Sequence, residues 1–181
     1  MSIPKKFFMT KGVGVSKDKL NSFEMALRDA KIANFNLVRV SSILPPYCKR
    51  VPLDEGLKYL SSGQIVHCVL SECSSNEPHR MLAASVGVAI PKKDENYGYL
   101  SEHHACGMTE KECDDYAEDL AAGMLATVLG VKFDPEASYN QKKEVWKISN
   151  EIVKTTAITQ SAKVDKYGRW TTVVASAVFI E

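Results

Sequence analysis

No stretch of this chain is apolar for long enough to cross a membrane as a helix. The lysines near its N-terminus are followed by too short an apolar core for a secretory signal. A dominant charge sign is lacking as well. The 23 Lys and Arg nearly balance 22 Asp and Glu, giving a formal net charge of +1, which argues against a partner held by phosphate neutralisation, so neither nucleic acid nor membrane is expected. The five cysteines, Cys48, Cys68, Cys73, Cys106 and Cys113, are odd in number and form no CxxC. Reduced thiols in the cytoplasm are the expectation, with no disulfide framework. His67 and the His103-His104 pair lack a third ligand at a familiar spacing, and adjacent strand residues point to opposite faces, so no metal is expected. Repeats, low-complexity tracts and linker compositions are absent from the 181 residues, and one domain over 1–181 is expected. A chain of this size buries enough surface to need no staple.

What is present is an alternation of helical and extended patterns. Residues 6–15 read as a strand that runs into a turn at Gly12 and Gly14. These two glycines lack the partners and the strand-to-helix context of a dinucleotide fingerprint. Asn21-Ser22-Phe23-Glu24 has the spacing of a capping box, with Phe23, Ala26, Leu27 and Ala30 at helical spacing behind it. Residues 36–43 read as one buried strand, stopped by Pro45-Pro46. Residues 55–60 suggest one or two helical turns, and 64–70, 81–90 and 97–104 are strand candidates. The 81–90 run is apolar at nearly every position, as expected of a strand covered on both faces, although pattern alone does not exclude a buried helix. Gly87 inside it signals a bulge or a close backbone approach. Thr109-Glu110-Lys111-Glu112 is a second capping box. It opens a long helix with Cys113, Tyr116, Ala117, Leu120, Ala121, Met124 and Val128 on one stripe and Gly130 at its stop. On that stripe Cys113 reads as core, not as a nucleophile. Residues 145–157 and 171–180 close the chain as strands. The order implies a layered α/β or α+β domain.

The unusual place is Ser41-Ser42-Ile43-Leu44-Pro45-Pro46, where two serines end an apolar strand before a rigid double proline. Composition alone reads it as polar turn residues at a strand end, and the other reading is a strained Ser-Ser bond of functional use. The whole run from Asn36 to Pro46 (NLVRVSSILPP), together with Ser22-Phe23-Glu24-Met25-Ala26-Leu27, Ala89-Ile90-Pro91-Lys92 and Leu100-Ser101-Glu102 in that order, resembles the pyruvoyl-dependent arginine decarboxylases over residues 7–179.

The resemblance implies an αββα sandwich, assembled as a trimer with sites between protomers. It implies self-cleavage between Ser41 and Ser42: the Ser42 hydroxyl attacks the Ser41 carbonyl, and elimination and hydrolysis leave an N-terminal pyruvoyl group on residues 42–181. That covalent group, derived from Ser42, would be the cofactor. It would form a Schiff base with L-arginine and accept electrons as CO2 leaves, yielding agmatine. Asn36 matches the family asparagine that supports this chemistry, and Glu102 the glutamate that acts as proton donor. Glu24 stands where the family has a substrate-binding aspartate, a longer acid that also competes as a capping residue. Leu20, Leu27 and Ile43 match apolar positions around the substrate, and the His103-His104 pair departs from the family pattern. Two alternatives stay open: a decarboxylase of another basic amino acid, and an uncleaved, non-catalytic family member with a structural or regulatory role.

Overall fold

Phe7, Phe8 and Met9 are all buried, yet they belong to two different cores. Phe7 and Met9 enter one apolar cluster and Phe8 another, as successive residues of a strand covered on both faces must. Each buried phenylalanine contributes about 1.5–3 kcal/mol through area removed from water. This strand is β1, Lys6–Ser16. In the computed structural model, which describes residues 3–132, 134, 137, 140–142, 145 and 152–181, it is followed by α1 (Lys19–Asp29), β2 (Asn36–Arg39), β3 (Ile43–Leu44), β4 (Lys49–Arg50) and α2 (Leu53–Gly56). Then come β5 (Ile65–Ser75), β6 (Met81–Pro91), β7 (Gly98–Cys106), α3 (Glu110–Val128), β8 (Ile152–Lys163) and β9 (Trp170–Ile180).

The first sheet has the order β2-β5-β9-β1-β4 and the second β3-β7-β6-β8. β9 runs antiparallel to both β1 and β5, while β2 and β4 add parallel edges. The second sheet is antiparallel throughout. The sheets face each other across Phe7, Met9, Val69, Val86, Val88, Leu100, Ala175 and Ala177. Helix α1 packs Ala26, Leu27 and Ala30 on the outer face of the first sheet, against Leu70, Val174 and Val178. Helix α3 packs Ala121, Ala122, Leu125 and Ala126 on the outer face of the second, against Ala89 and Ile152. The layers are therefore α, β, β, α, the expected α+β sandwich. Among the described residues no helix is long and apolar enough to cross a membrane.

Several expectations need correction. No turn forms at Gly12 and Gly14: β1 runs through both, pairing them with Val174 and Thr172 of β9. The single buried strand expected over 36–43 is two largely exposed ones: β2 at an edge of the first sheet and β3 at an edge of the second, divided at Val40-Ser41-Ser42. Helix α1 starts two residues before Asn21, with Asp18 at its N-cap position, so the expected capping box does not form. Strand β5 runs past Leu70 to Ser75, because its serines find partners: Ser71 Oγ donates to His103 O at 2.7 Å and Ser74 Oγ lies 2.8 Å from Thr172 Oγ1. Of the strand expected over 145–157, residues 152–157 are strand and Val145 is helical, while 146–151 lie outside the described residues. The second capping box is real: Thr109 accepts from the Glu112 amide, and Glu112 accepts from the Thr109 amide at 2.8 Å. At the other end Gly130 takes φ +70°, and the amides of Gly130 and Val131 return to Thr127 O and Ala126 O. The buried stripe of α3 is narrower than expected, since Tyr116, Leu120 and Val128 face outward. Its small residues sit close to the sheet. A Cβ on Gly87 would stand 2.1 Å from Ala117 O, so the glycine marks a close backbone approach, not a bulge.

Candidate active site

The chain changes sheets at Ser41 and Ser42. Val40 N–H donates to Cys68 O at 3.0 Å, the last bond to the first sheet, and Leu100 N–H donates to Ser42 O at 2.8 Å, the first bond to the second. Between them Ile43 N–H returns to Ser41 O at 2.9 Å. The excursion is brief. After two paired residues, Ile43 with Tyr99 and Leu44 with Gly98, Pro45-Pro46 and the left-handed Tyr47 (φ 61°) send the chain back to the first sheet as β4. Leu44 is buried in the inter-sheet core and pins the crossing. Val40, Ser41 and Ile43 line a cavity of about 260 Å³ with Pro4, Pro45, His67 and Phe179 among its walls.

Glu102 lies on β7, two residues beyond Leu100. By strand alternation it shares the Leu100 face, which looks toward the first sheet. Continuing the β3–β7 register places Ser42 opposite Leu100 and Glu102 diagonal to it. The Glu102 carboxyl keeps contact with solvent, yet the protein around it desolvates it enough to push its pKa up; the Arg39 guanidinium pulls the other way without cancelling the effect. Arg39 itself, at the end of β2, is ion-paired to Glu72 of β5. His103 takes the opposite face, its ring 4.2 Å from that of Tyr116 on α3, and burial together with His104 pushes its pKa down. Among the described residues no group of His, Cys, Asp or Glu is arranged to hold a metal.

The remaining candidates gather elsewhere on the protomer. Asn36, at the far end of β2, donates from Nδ2 to Gly63 O at 2.7 Å, and five residues of extended chain, roughly 16 Å, separate it from Ser41. On α1, Leu27 is buried and Leu20 is 79% exposed, while Glu24 accepts from Arg28 Nε at 2.9 Å. Phe23, Leu27, Phe35, Asn36, Leu37, Arg39, Leu70 and Glu72 line a second cavity of about 360 Å³. Ser42, Ile43 and Glu102 thus form one group, and Leu20, Glu24, Leu27 and Asn36 another, joined through β2. Thiol chemistry has no place in either. Burial pushes Cys68 and Cys113 up to about 11 and Cys48 to about 12, so none is an activated nucleophile. The Arg39–Glu72 pair was not legible in the sequence, because Glu72 lies past the point where β5 was expected to end.

The family model for pyruvoyl-dependent arginine decarboxylase matches residues 6–181. The chain belongs to that family. It is 57% identical over 178 residues to pyruvoyl-dependent arginine decarboxylase 2 of Methanosarcina mazei, covering 98% of this chain and 97% of the relative. A Methanosarcina acetivorans protein of the same name is 56% identical, again over 98% of this chain and 97% of the relative. The Nitrosopumilus maritimus pyruvoyl-dependent arginine decarboxylase is 52% identical with the same coverage. Membership of the pyruvoyl-dependent decarboxylases implies a covalently bound pyruvoyl group. The residues present fit that group. The amide of Leu100 holds Ser42 O, and the partly desolvated Glu102 stands on the adjacent strand.

Proposed function

We propose that this chain is a proenzyme, one domain over residues 1–181, that cuts itself between Ser41 and Ser42 and then decarboxylates L-arginine to agmatine and CO2. The observation that carries the reading is the crossing itself: a Ser-Ser peptide suspended between two sheets, its flanking carbonyls hydrogen-bonded, with the partly desolvated Glu102 carboxyl diagonal to it on β7. Such over-determined backbone is where strain persists at functional sites. The Ser42 hydroxyl attacks the Ser41 carbonyl carbon, and the chain ends as residues 1–41 and 42–181. The pyruvoyl group left on residue 42 supplies a carbonyl for the substrate amine and an electron sink for the departing carboxylate.

The other roles belong to side chains. Glu102, its pKa raised by desolvation, retains a proton to higher pH than a solvated glutamate and delivers it to the carbon that has lost CO2. Glu24 holds the substrate guanidinium. Its Oε1 already accepts from a guanidinium nitrogen, that of Arg28, and a carboxylate fits this donor geometry. Leu20, Leu27 and Ile43 flank the aliphatic part of the substrate, and Asn36 supports the site from the end of β2. Because Ile43 lines one cavity of the protomer and Leu27 and Asn36 another, we place the complete site between protomers of a homotrimer. We place the enzyme in the cytoplasm, a reading its five free cysteines support.

Intact mass spectrometry of purified protein tests the central claim. Wild type should give two fragments divided at 41/42, and Ser42→Ala one full-length chain; fragments of unchanged size from Ser42→Ala would refute the assignment. Glu102→Gln should still be cut, while turnover falls about 10²–10⁴-fold, the range for a lost positioned acid. Wild-type turnover should decline as pH rises through the elevated Glu102 pKa, and that limb should vanish in the glutamine variant.

A further inference from the structure

We infer that the backbone amide of Ile43 is a catalytic donor in self-cleavage, holding the Ser41 carbonyl oxygen while the Ser42 hydroxyl attacks the carbon bonded to it. This rests on the cleavage reading above and adds the group that stabilises the developing oxyanion. The hydrogen bond from Ile43 N–H to Ser41 O, 2.9 Å long, spans two residues and closes a tight turn with Ser42 at its centre. The register explains why this amide is available. Leu100 N–H reaches Ser42 O, and Ile43 lies opposite Tyr99 at the next position. In an antiparallel ladder that next position is a pair whose backbone groups point away from each other. Ile43 N–H therefore turns out of the second sheet and back onto Ser41. Both carbonyls that flank Ser42 are held by separate amides, and the two peptide planes around the serine are fixed before any bond changes.

The chemistry needs a donor at that atom. As the Ser42 Oγ bond to the Ser41 carbonyl carbon forms, an electron pair moves onto Ser41 O. The pair returns when the bond to the Ser42 nitrogen breaks, and the hydroxyl proton passes to that nitrogen. No oxidant or co-substrate enters, and the product is the isomeric ester. A donor already in place is worth more to the oxyanion than to the neutral carbonyl, so it lowers the barrier. Asn36, the residue the family resemblance offers in support, is at the other end of β2 with its amide on Gly63 O. Within the protomer the Ile43 amide is the donor in position.

Ile43→Pro deletes this N–H. Folding is checked by far-UV circular dichroism and sedimentation, and the loss of full-length chain is followed by denaturing gel and intact mass. Cleavage at 41/42 should slow about 10²–10³-fold, the cost of removing one oxyanion donor. Hydroxylamine, which cuts an ester once formed, should not restore the rate, because the attack itself is slowed. A folded Ile43→Pro chain that is cut at the wild-type rate, or whose cleavage hydroxylamine restores, overturns the inference and leaves the cleavage reading intact. Wild-type protein not cut at 41/42 would instead overturn that reading. Should the proline chain not fold, the α-hydroxy acid analogue of isoleucine introduced at position 43 removes only the N–H, and the same outcomes decide.

Discussion

Helices α1 and α3 occupy equivalent places on the two outer faces, and each carries an Asn/Thr-x-x-Glu spacing at its start, with different results. Thr109 and Glu112 exchange their hydrogen bonds and close the end of α3. Asn21 lies inside α1, donates to Ser16 Oγ at 2.9 Å, and leaves Glu24 facing Arg28 across one turn. The same spacing thus ties one glutamate to its helix start and leaves the other on the helix surface, paired with Arg28. What the two layers share is their seat. A Cβ on Gly14 of β1 would stand 2.1 Å from Ser22 O of α1, and one on Gly87 of β6 2.1 Å from Ala117 O of α3. In both, a strand glycine lets helix backbone come down on the sheet.

The strongest way to break this parallel is to fill the seats. Gly14→Val and Gly87→Val meet backbone that cannot swing away, and each should cost about 3 kcal/mol or more, read as a fall in urea midpoint or as failure to fold. A Gly87→Val protein with an unchanged midpoint would mean that α3 is not seated as described. Next in size, Glu24→Gln should raise KM for arginine about tenfold to a hundredfold, the value of a charge-assisted hydrogen bond, with cleavage and melting temperature nearly unaltered. Glu112→Gln should leave KM alone, which separates the bound glutamate from the available one. The smallest effects distinguish the helix starts. Thr109→Ala should destabilise by about 1 kcal/mol, whereas Asn21→Ala should stay within about 0.5 kcal/mol of wild type, both measured by denaturant unfolding.

Much of this architecture was legible from local pattern. β6 and β9 have side chains buried on both faces, and their apolar runs suit such strands; α3 has both a cap and a glycine stop, while β1 was legible only up to Gly12, where a turn was expected. The division of 36–43 was not legible, because its β-branched run is continuous and only distant partners divide it: Arg39 pairs with Cys68 in one sheet, Ile43 with Tyr99 in the other. The polar tail of β5 reads as a loop until Thr172 and His103 are brought to its serines. The start of α1 was read from the Asn21-x-x-Glu24 spacing, whereas the helix begins after Asp18. For the site, the Ser-Ser stretch and Glu102 were found through family resemblance; the amide donors around Ser42 are properties of register, which no residue name encodes.

The position of the Ser41–Ser42 bond has a consequence for what the mature protein is. The segment before it holds β1, which lies between β9 and β4, paired with β9 from Lys6–Ile180 to Ser16–Trp170. Breaking the bond therefore releases nothing. The smaller fragment would stay in the first sheet beside the central strand β9 and carry α1, with Glu24, in its place. Unfolding changes character, however. An intact proenzyme regains its fold as one molecule, but a cut protomer that loses its structure becomes two molecules that must find each other in solution. Its melting point acquires a dependence on dilution from this step alone, and the covalent connection that guided the first folding is gone. The proposed cleavage would turn a chain that can refold into a complex that lasts only as long as its sheet stays closed.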